Sequence, residues 1–250
     1  MAEAIITVTE LSKRFFVRHE RRPSVKSAAL RILRPFPTDV LWALREVSFA
    51  VAPGEAVGLV GSNGSGKSTL LRLIAGIFRP TSGTITMRGR AGGLFELAAG
   101  FHPELTGAEN IRLSGALLGF SPRAVAERWD EIAEFSELGD FLDVRVKHYS
   151  SGMGLRLGFA VAVVWQPQAL LVDEVLAVAD AHFQQKVYQR LRQEQAQGRA
   201  ILLVSHEMTA IREMTQRVLW LEQGRIEADG PTDEVIAQYL AHARSSALPN

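Results

Sequence analysis

The sequence contains no cysteine among its 250 residues, which excludes disulfides and thiolate metal sites. Long hydrophobic runs are also absent: the longest strongly apolar stretch, residues 157–165, covers nine residues. A membrane-spanning helix needs roughly 20 such residues. The start of the chain, residues 1–4, lacks the basic and apolar regions of a secretory signal. Together these absences predict a protein of the cytoplasm.

Neither sign of charge dominates, since 28 Lys and Arg stand against 27 Asp and Glu and give a net charge of +1. This balance argues against a nucleic-acid partner, which would favour clustered bases and a high pI. One stretch departs from the balance, because residues 13–34 hold eight bases and a single acid, Glu20. Both a solvated loop and a surface that meets anionic lipid or a pyrophosphate-linked glycan would explain that stretch.

Aliphatic stretches alternate with helical patterns, which indicates an α/β protein whose parallel sheet is covered on both faces. Thr106 and Glu109 have the spacing of a capping box, and Pro122 suits the first turn of the next helix. The predicted strands are 5–8, 42–51, 57–60, 84–87, 169–172, 200–204 and 217–221. The predicted helices are 67–76, an inserted helical region at 101–165, 181–197, a short helix after Ser205, and 232–243. The other segments are a basic insert at about 18–38, with a short helix at 24–33, and a frayed tail at about 244–250.

A glycine-rich segment follows the strand 57–60 and opens the next helix, which is the setting of a phosphate-binding loop. Its glycines let backbone N–H groups approach an anion, and the helix N-terminus adds a positive partial charge. Lys67 would place its ammonium between the β- and γ-phosphates of a nucleotide, and the Ser68 hydroxyl would bind magnesium. The predicted nucleotide-binding residues of the loop are Gly61, Ser62, Asn63, Gly64, Ser65, Gly66, Lys67, Ser68 and Thr69.

Two carboxylates end the strand 169–172, and an imidazole follows the strand 200–204. The carboxyl ends of parallel strands face the ligand crevice of such a sheet. Asp173 would therefore orient magnesium, and Glu174 would act as general base on the attacking water. His206 would hydrogen-bond the γ-phosphate and keep Glu174 and the water in line.

The order of these motifs resembles the nucleotide-binding subunit of an ABC transporter over nearly the whole chain. Where that family has its signature, usually Leu-Ser-Gly-Gly-Gln, this sequence has Tyr149 followed by Ser150, Ser151, Gly152 and Met153. In the family, this motif opens a helix that faces the γ-phosphate held by the opposite subunit. Taken alone, Ser-Ser-Gly is also a common turn.

The resemblance implies a P-loop NTPase fold of the RecA-like type, with a mainly parallel sheet, an antiparallel β part and an inserted α-helical subdomain. It implies ATP and Mg²⁺ as cofactors and a head-to-tail homodimer that closes around two ATP molecules. Phe15 matches the position that stacks on adenine, although Phe16 and Trp42 compete for that role. Asp180 matches the loop that links the two sites, although an Asp before a helix is also a cap.

Departures from the family pattern narrow the resemblance to one group. Glu96 stands nearest to the position of the usual Gln, where it would become a magnesium ligand, and Val175 replaces the proline after the catalytic Glu. With the altered signature and the segment 99–110, these features resemble exporters of lipid-linked O-antigen, capsular polysaccharide or teichoic acid. The implied partners are an integral-membrane permease, contacted by residues 96–105, and, indirectly, a lipid-linked glycan. The implied location is the cytoplasmic face of the inner membrane.

The same motifs leave other classes of ATP-binding protein open as alternatives to a polysaccharide exporter. An exporter of drugs, lipids or peptides would use the same motifs. A soluble ABC protein of translation or DNA repair would also use them, but such proteins usually carry tandem cassettes or long coiled coils. A P-loop kinase would act as a monomer and would leave the signature without a role.

Overall fold

The computed structural model describes residues 3–18, 38–93, 100–173 and 180–246. Glu96, Glu174 and Val175 lie outside these ranges. So do most of the predicted basic insert, with its short helix at 24–33, and the last residues of the predicted tail. The roles assigned to these residues therefore rest on the sequence alone.

The strands of the described chain form two sheets. The strands are β1 (Ile6–Arg18), β2 (Thr38–Val51), β3 (Ala56–Val60), β4 (Ser82–Met87), β5 (Ala91–Gly93), β6 (Ala169–Val172), β7 (Ala200–Val204), β8 (Arg217–Glu222) and β9 (Arg225–Pro231). The smaller sheet is antiparallel, in the order β2-β1-β4. The larger sheet has the order β5-β6-β7-β3-β8-β9, and its neighbours are parallel except for β8 and β9. The larger sheet thus confirms the predicted parallel arrangement.

Helices occupy both faces of the larger sheet and the segment between β5 and β6. They are α1 (Lys67–Ile74), α2 (Gly107–Leu117), α3 (Pro122–Ala126), α4 (Trp129–Ser136), α5 (Ser151–Val164), α6 (Ala181–Ala196), α7 (Met208–Met214) and α8 (Thr232–Ser246). Thr106 and Glu109 form the predicted capping box on α2. Pro122 stands at the start of α3, as predicted. None of the helices in the described residues combines the length and apolarity of a membrane span.

Three groups of buried side chains hold these layers together. The first lies between the smaller sheet, α1 and one face of the larger sheet. The second lies on the opposite face, under α5 to α8. Residues alternate between the two groups along β3, because Val57 and Leu59 join the first while Ala56 and Val60 join the second. The third group lies within the helical segment from Phe101 to Trp165.

Several predicted boundaries were wrong. β1 continues to Arg18, so Lys13 and Arg14 belong to a strand and not to a basic loop. The strands β5 and β9 were not predicted. The last helix runs to Ser246, although the tail was predicted to begin at 244. A basic residue, Arg244, occupies its last turn, where a positive charge complements the helix dipole.

Candidate phosphate-binding site

The glycine-rich loop leaves the carboxyl end of β3, which is fully buried at the centre of the larger sheet. Two glycines are required by the close approach of other backbone segments. A Cβ on Gly61 would lie 2.0 Å from the carbonyl oxygen of Leu221, and one on Gly66 would lie 2.4 Å from that of Ala43. Gly66 also adopts φ +112° as the N-cap of α1, which disfavours any side chain there. At these two positions, the loop lies too close to β8 and β2 for any side chain to fit.

Main-chain hydrogen bonds connect the loop to the turn after β8, and that turn to β2. The N–H of Gly224, in the turn after β8, donates to Ser65 O at 3.0 Å. The N–H of Arg45, in β2, donates to Gly224 O at 2.8 Å. On the outer side of the loop, the Ser62 hydroxyl donates to Glu222 Oε1 at 2.8 Å. Neither Glu222 nor Gly224 could be predicted from a local sequence pattern, because both are more than 150 positions away from the loop.

Lys67, the first residue of α1, is 5 % exposed and points back into the loop. Its Nζ donates to Gly61 O at 2.8 Å and to Ser62 O at 3.0 Å. The Ser65 hydroxyl is also buried and has no hydrogen-bond partner among the described residues. Buried donors are normally paired, so a buried ammonium beside an unpaired hydroxyl suits an anionic ligand. The loop thus has the donor set that a chain of phosphates requires.

A pocket of about 450 Å³ opens beside the loop. Phe15 lies in it, and its ring contacts Phe78 edge to face at a centroid distance of 5.5 Å. Lys13 Nζ stands 5.1 Å from the centre of the Phe15 ring. Phe16 is 63 % exposed and is not among the residues that line the pocket. The pocket is lined by Phe15, Leu41, Trp42, Ala43, Asn63, Gly64, Gly66, Lys67, Ser68 and Thr69.

The ends of three neighbouring strands bring the other predicted groups towards this loop. In the larger sheet, β6 lies beside β7 and β7 beside β3. Asp173 follows β6 and is partly buried, and His206 comes two residues after β7 and is exposed. The backbone after β7 is fixed by Ser205, whose hydroxyl accepts a hydrogen bond from Glu207 N at 3.0 Å. Within the described residues, no three His, Asp or Glu side chains form a metal-binding cluster.

The signature segment begins α5, as predicted, but it is separate from this pocket. Ser150 is the N-cap, and its hydroxyl accepts a hydrogen bond from Met153 N at 3.2 Å. Ser150 and Ser151 are exposed, and Gly152 and Met153 are partly buried. The Tyr149 hydroxyl anchors the segment to the preceding part of the chain, because it donates to Phe141 O at 2.6 Å. None of these residues is among those that line the pocket beside the loop.

Asp180 caps α6, which was one of its two predicted roles. Its Oδ1 accepts a hydrogen bond from Phe183 N at 3.0 Å. Its Oδ2 lies 2.6 Å from Nη2 of Arg156, on α5. These two contacts lower the pKa of Asp180 to about 2, with the Arg156 hydrogen bond as the larger cause. The contact with Arg156 was not predicted from the sequence.

Comparisons with known proteins agree with this arrangement. The chain is 41 % identical over 240 residues to an O-antigen export system ATP-binding protein of Klebsiella pneumoniae, covering 95 % of this chain and 98 % of that protein. It is 42 % identical to a teichoic acids export ATP-binding protein of Lactococcus lactis, covering 79 % of this chain and 42 % of that protein. A dimeric ATP-binding cassette bound to ADP and Pi shares the fold, with a TM-score of 0.72 at 21 % identity over 91 % of this chain and 98 % of that one. The family model described as ABC transporter matches residues 44–177. On these grounds, the chain belongs to the ABC transporter family.

Proposed function

We propose that this chain is the ATP-hydrolysing subunit of an exporter that moves a lipid-linked polysaccharide across the cytoplasmic membrane. The observation that carries the proposal is the buried ammonium of Lys67, held inside a glycine loop by Gly61 O and Ser62 O. The substrate class follows from relatives that are named for O-antigen and teichoic acid export and match most of this chain.

The loop would bind the phosphates of ATP through its backbone. N–H groups in the first turn of α1 have no acceptor four residues earlier in the same helix, so they are available to phosphate oxygens. Lys67 adds a charge-assisted hydrogen bond, which is roughly twice as strong as a neutral one. Ser62 and Asn63 complete the outer side of the loop.

Magnesium suits the donors next to this loop. Mg²⁺ prefers oxygen ligands and is usually held by one or two protein groups together with substrate phosphates. The hydroxyl of Ser68 and the carboxylate of Asp173 provide such oxygens, and Glu96 is a third candidate from the sequence. When bound, the ion would neutralise charge on the phosphates.

Two further groups would act on the attacking water. Glu174 follows Asp173 directly, at the carboxyl end of β6, and would accept the proton of the water. His206 follows the neighbouring strand β7 and would hydrogen-bond the γ-phosphate. Catalysis here consists mainly of holding these groups in line, because phosphoryl transfer demands positioning more than covalent chemistry.

A second copy of the chain would complete each site. The described residues that line the pocket beside the loop belong to β1, β2, the loop and α1. The exposed N-terminus of α5, with Ser150 to Met153, would meet the γ-phosphate bound by the partner, because a helix N-terminus favours anions. The neighbour described above is itself dimeric. Closure on ATP and opening after hydrolysis would then drive the transport, because the two states differ in ATP affinity.

A membrane permease would dock on the region 96–105. The described part of it exposes His102, Pro103 and Glu104 on a loop that is fixed from inside. Buried Asn110 holds that loop, because its side chain accepts from His102 N at 2.7 Å and donates to the carbonyls of His102, Leu105 and Thr106. A rigid, exposed loop can transmit the closure of the dimer to a partner. The basic stretch from Arg18 to Arg34 would lie towards the membrane surface.

Deletion of the gene tests the proposed function directly. We expect cells without it to lose the polysaccharide from their surface and to accumulate its lipid-linked form at the inner membrane. Immunoblots of surface glycan and extraction of glycolipid measure the two effects. Expression of the wild-type chain should restore export. Surface polysaccharide at the wild-type level in the deletion strain would refute the proposed substrate class.

Replacement of Phe15 by Ala should weaken ATP binding, because the adenine ring would lose its stacking partner in the pocket beside the loop. Stacking of a base on an aromatic ring is worth about 1–3 kcal/mol, so we expect the KM for ATP to rise on the order of 10-fold or more. The rate at saturating ATP should change little. Phe16→Ala is the matched control, because Phe16 is exposed outside the pocket. An equal rise in KM in both variants would contradict the assignment of Phe15.

A further inference from the structure

Four charged side chains join three helices next to the signature segment. Arg156, on α5, places Nη1 2.7 Å from Oε2 of Glu137, which follows α4, and Nη2 2.6 Å from Oδ2 of Asp180, which precedes α6. Lys186, on α6, places Nζ 2.7 Å from Oε1 of Glu137. We refer to Arg156, Glu137, Asp180 and Lys186 as the Arg156 cluster.

Arg156 is the centre of this cluster and has little freedom to move. Its side chain is 22 % exposed, and its guanidinium lies 4.9 Å from the ring centre of buried Phe183. The two carboxylates that it binds belong to different elements. A planar guanidinium can bind two such groups in fixed directions, whereas the single ammonium of a lysine cannot do so with the same geometry.

The partners of Arg156 are themselves fixed at helix ends. Asp180 uses its other oxygen to cap α6 through Phe183 N. Glu137 ends α4 in the left-handed conformation, at φ 56°. Lys186 also donates to the last carbonyls of α4, at Glu134 and Phe135, over 3.2 and 3.1 Å. A displacement of Arg156 would therefore be transmitted to the end of one helix and the start of another.

The position of the cluster relates it to two parts of the proposed site. Arg156 lies six residues after Ser150, so it fixes α5 near the end that would face the ATP of the partner. Asp180 stands at the start of α6, six residues after the proposed general base Glu174 in the sequence. The ion pair between Arg156 and Asp180 thus connects α5, which begins at the signature segment, to the part of the sequence that contains the general base.

We propose that Arg156 is a positioning residue for ATP hydrolysis: it keeps the start of α6 at a fixed place relative to Ser150 and the signature segment. The inference rests on the proposed function, in which that segment serves the ATP bound by the partner. Each chain would contribute its signature segment to one ATP site of the dimer and its Glu174 to the other. Arg156 would therefore fix the position of one ATP site relative to the other. Its loss would slow hydrolysis without weakening the first binding of ATP, because Arg156 is not among the described residues that line the pocket beside the loop.

The chain offers a matched control for simple loss of stability. Arg190, on α6, also binds two carboxylates, Glu131 of α4 at 2.7 Å and Glu194 at 2.8 Å, and is 19 % exposed. It bridges α4 and α6, which are two of the three helices that the Arg156 cluster joins, but it contacts neither α5 nor the start of α6 in these ion pairs. If Arg156 only held helices together, loss of Arg190 would have an equal effect on hydrolysis.

The experiment compares Arg156→Ala, Arg156→Lys and Arg190→Ala with the wild type. Measured quantities are the affinity for a fluorescent ATP analogue, the kcat and KM of ATP hydrolysis, and the midpoint of thermal unfolding. For Arg156→Ala we expect kcat to fall on the order of 10- to 100-fold, as for a small misplacement of reacting groups, with the analogue affinity within about twofold of the wild type. Arg156→Lys should recover less than half of the lost rate, because lysine restores the charge but not the planar guanidinium that binds two carboxylates. Arg190→Ala should lower the unfolding midpoint at least as much but keep most of kcat.

A double variant tests the contact itself. If Arg156 acts through Asp180, adding Asp180→Asn to Arg156→Ala should cost much less than it costs in the wild type. The inference is overturned if Arg156→Ala keeps wild-type kcat, if analogue affinity falls in parallel with kcat, or if Arg190→Ala loses as much kcat as Arg156→Ala. A wild-type protein that neither binds nor hydrolyses ATP would instead overturn the proposed function, and this inference with it.

Discussion

Lys67→Met is expected to reduce ATP hydrolysis by about 10²- to 10³-fold, the usual loss when one preorganised donor to a reacting group is removed. Lys67 is 5 % exposed and stands at the start of α1, so its ammonium would meet bound phosphates without competition from bulk water. Methionine keeps most of the length and apolar body of the side chain. The change therefore removes the charge with little change in packing.

Single-turnover hydrolysis and binding of a fluorescent ATP analogue measure this effect. Lys147→Met serves as the control, because Lys147 pairs with exposed Glu104 at 2.9 Å on the surface of the helical segment. Exposed pairs of this kind contribute little to stability, so basal hydrolysis should remain at the wild-type rate. If Lys67→Met hydrolyses ATP at more than roughly one-tenth of the wild-type rate, Lys67 does not contact the phosphates.

Glu174→Gln should bind ATP and almost fail to hydrolyse it. An amide cannot accept the proton of the attacking water, and loss of a general base typically costs 10²–10⁴ in rate. Because ATP then persists in the site, the closed dimer should accumulate. Light scattering coupled to size-exclusion chromatography, with and without ATP and magnesium, measures the dimer, and phosphate release measures the turnover.

The double variant Glu174→Gln with Ser150→Arg separates dimer closure from nucleotide binding. Ser150 is exposed at the start of α5, so a large side chain there would obstruct the partner while leaving the pocket beside the loop intact. We expect this variant to bind ATP as a monomer. Monomers of the wild type that hydrolyse ATP at the full rate would contradict the shared site.

Local sequence signals predicted the elements that carry the phosphate-binding loop. Lys67 opens α1 as predicted, because a glycine-rich turn between an aliphatic strand and a helix has few other conformations. The capping box of Thr106 and Glu109 also fixed a boundary correctly, because its two hydrogen bonds are made within four residues. The strands β3, β6 and β7 were recognised because they are short, aliphatic and fully buried.

Elements that depend on distant partners were missed. β1 was predicted to end at residue 8, where its apolar content ends. In the structure, the backbone of Glu10 has φ 47° and the pairing with β2 shifts between Val8 and Leu11. Such a bulge turns the following side chains to the other face, so a period of two no longer describes the strand. β9 was missed because Gly230 and Pro231 indicate a turn, while its pairing with β8 comes from outside the segment. The contact of Arg156 with Asp180 spans 24 positions and has no local pattern.

Main-chain hydrogen bonds through Gly224 connect the loop to the antiparallel pair of strands β1 and β2. Ser65 is bonded to Gly224, and Gly224 is bonded to Arg45 of the strand that pairs with Phe15. A displacement of this strand pair by the base of a nucleotide would therefore shift the loop that would surround the phosphates. The protein would then distinguish purine from pyrimidine nucleotides by the rate at which it hydrolyses them as well as by its affinity for them.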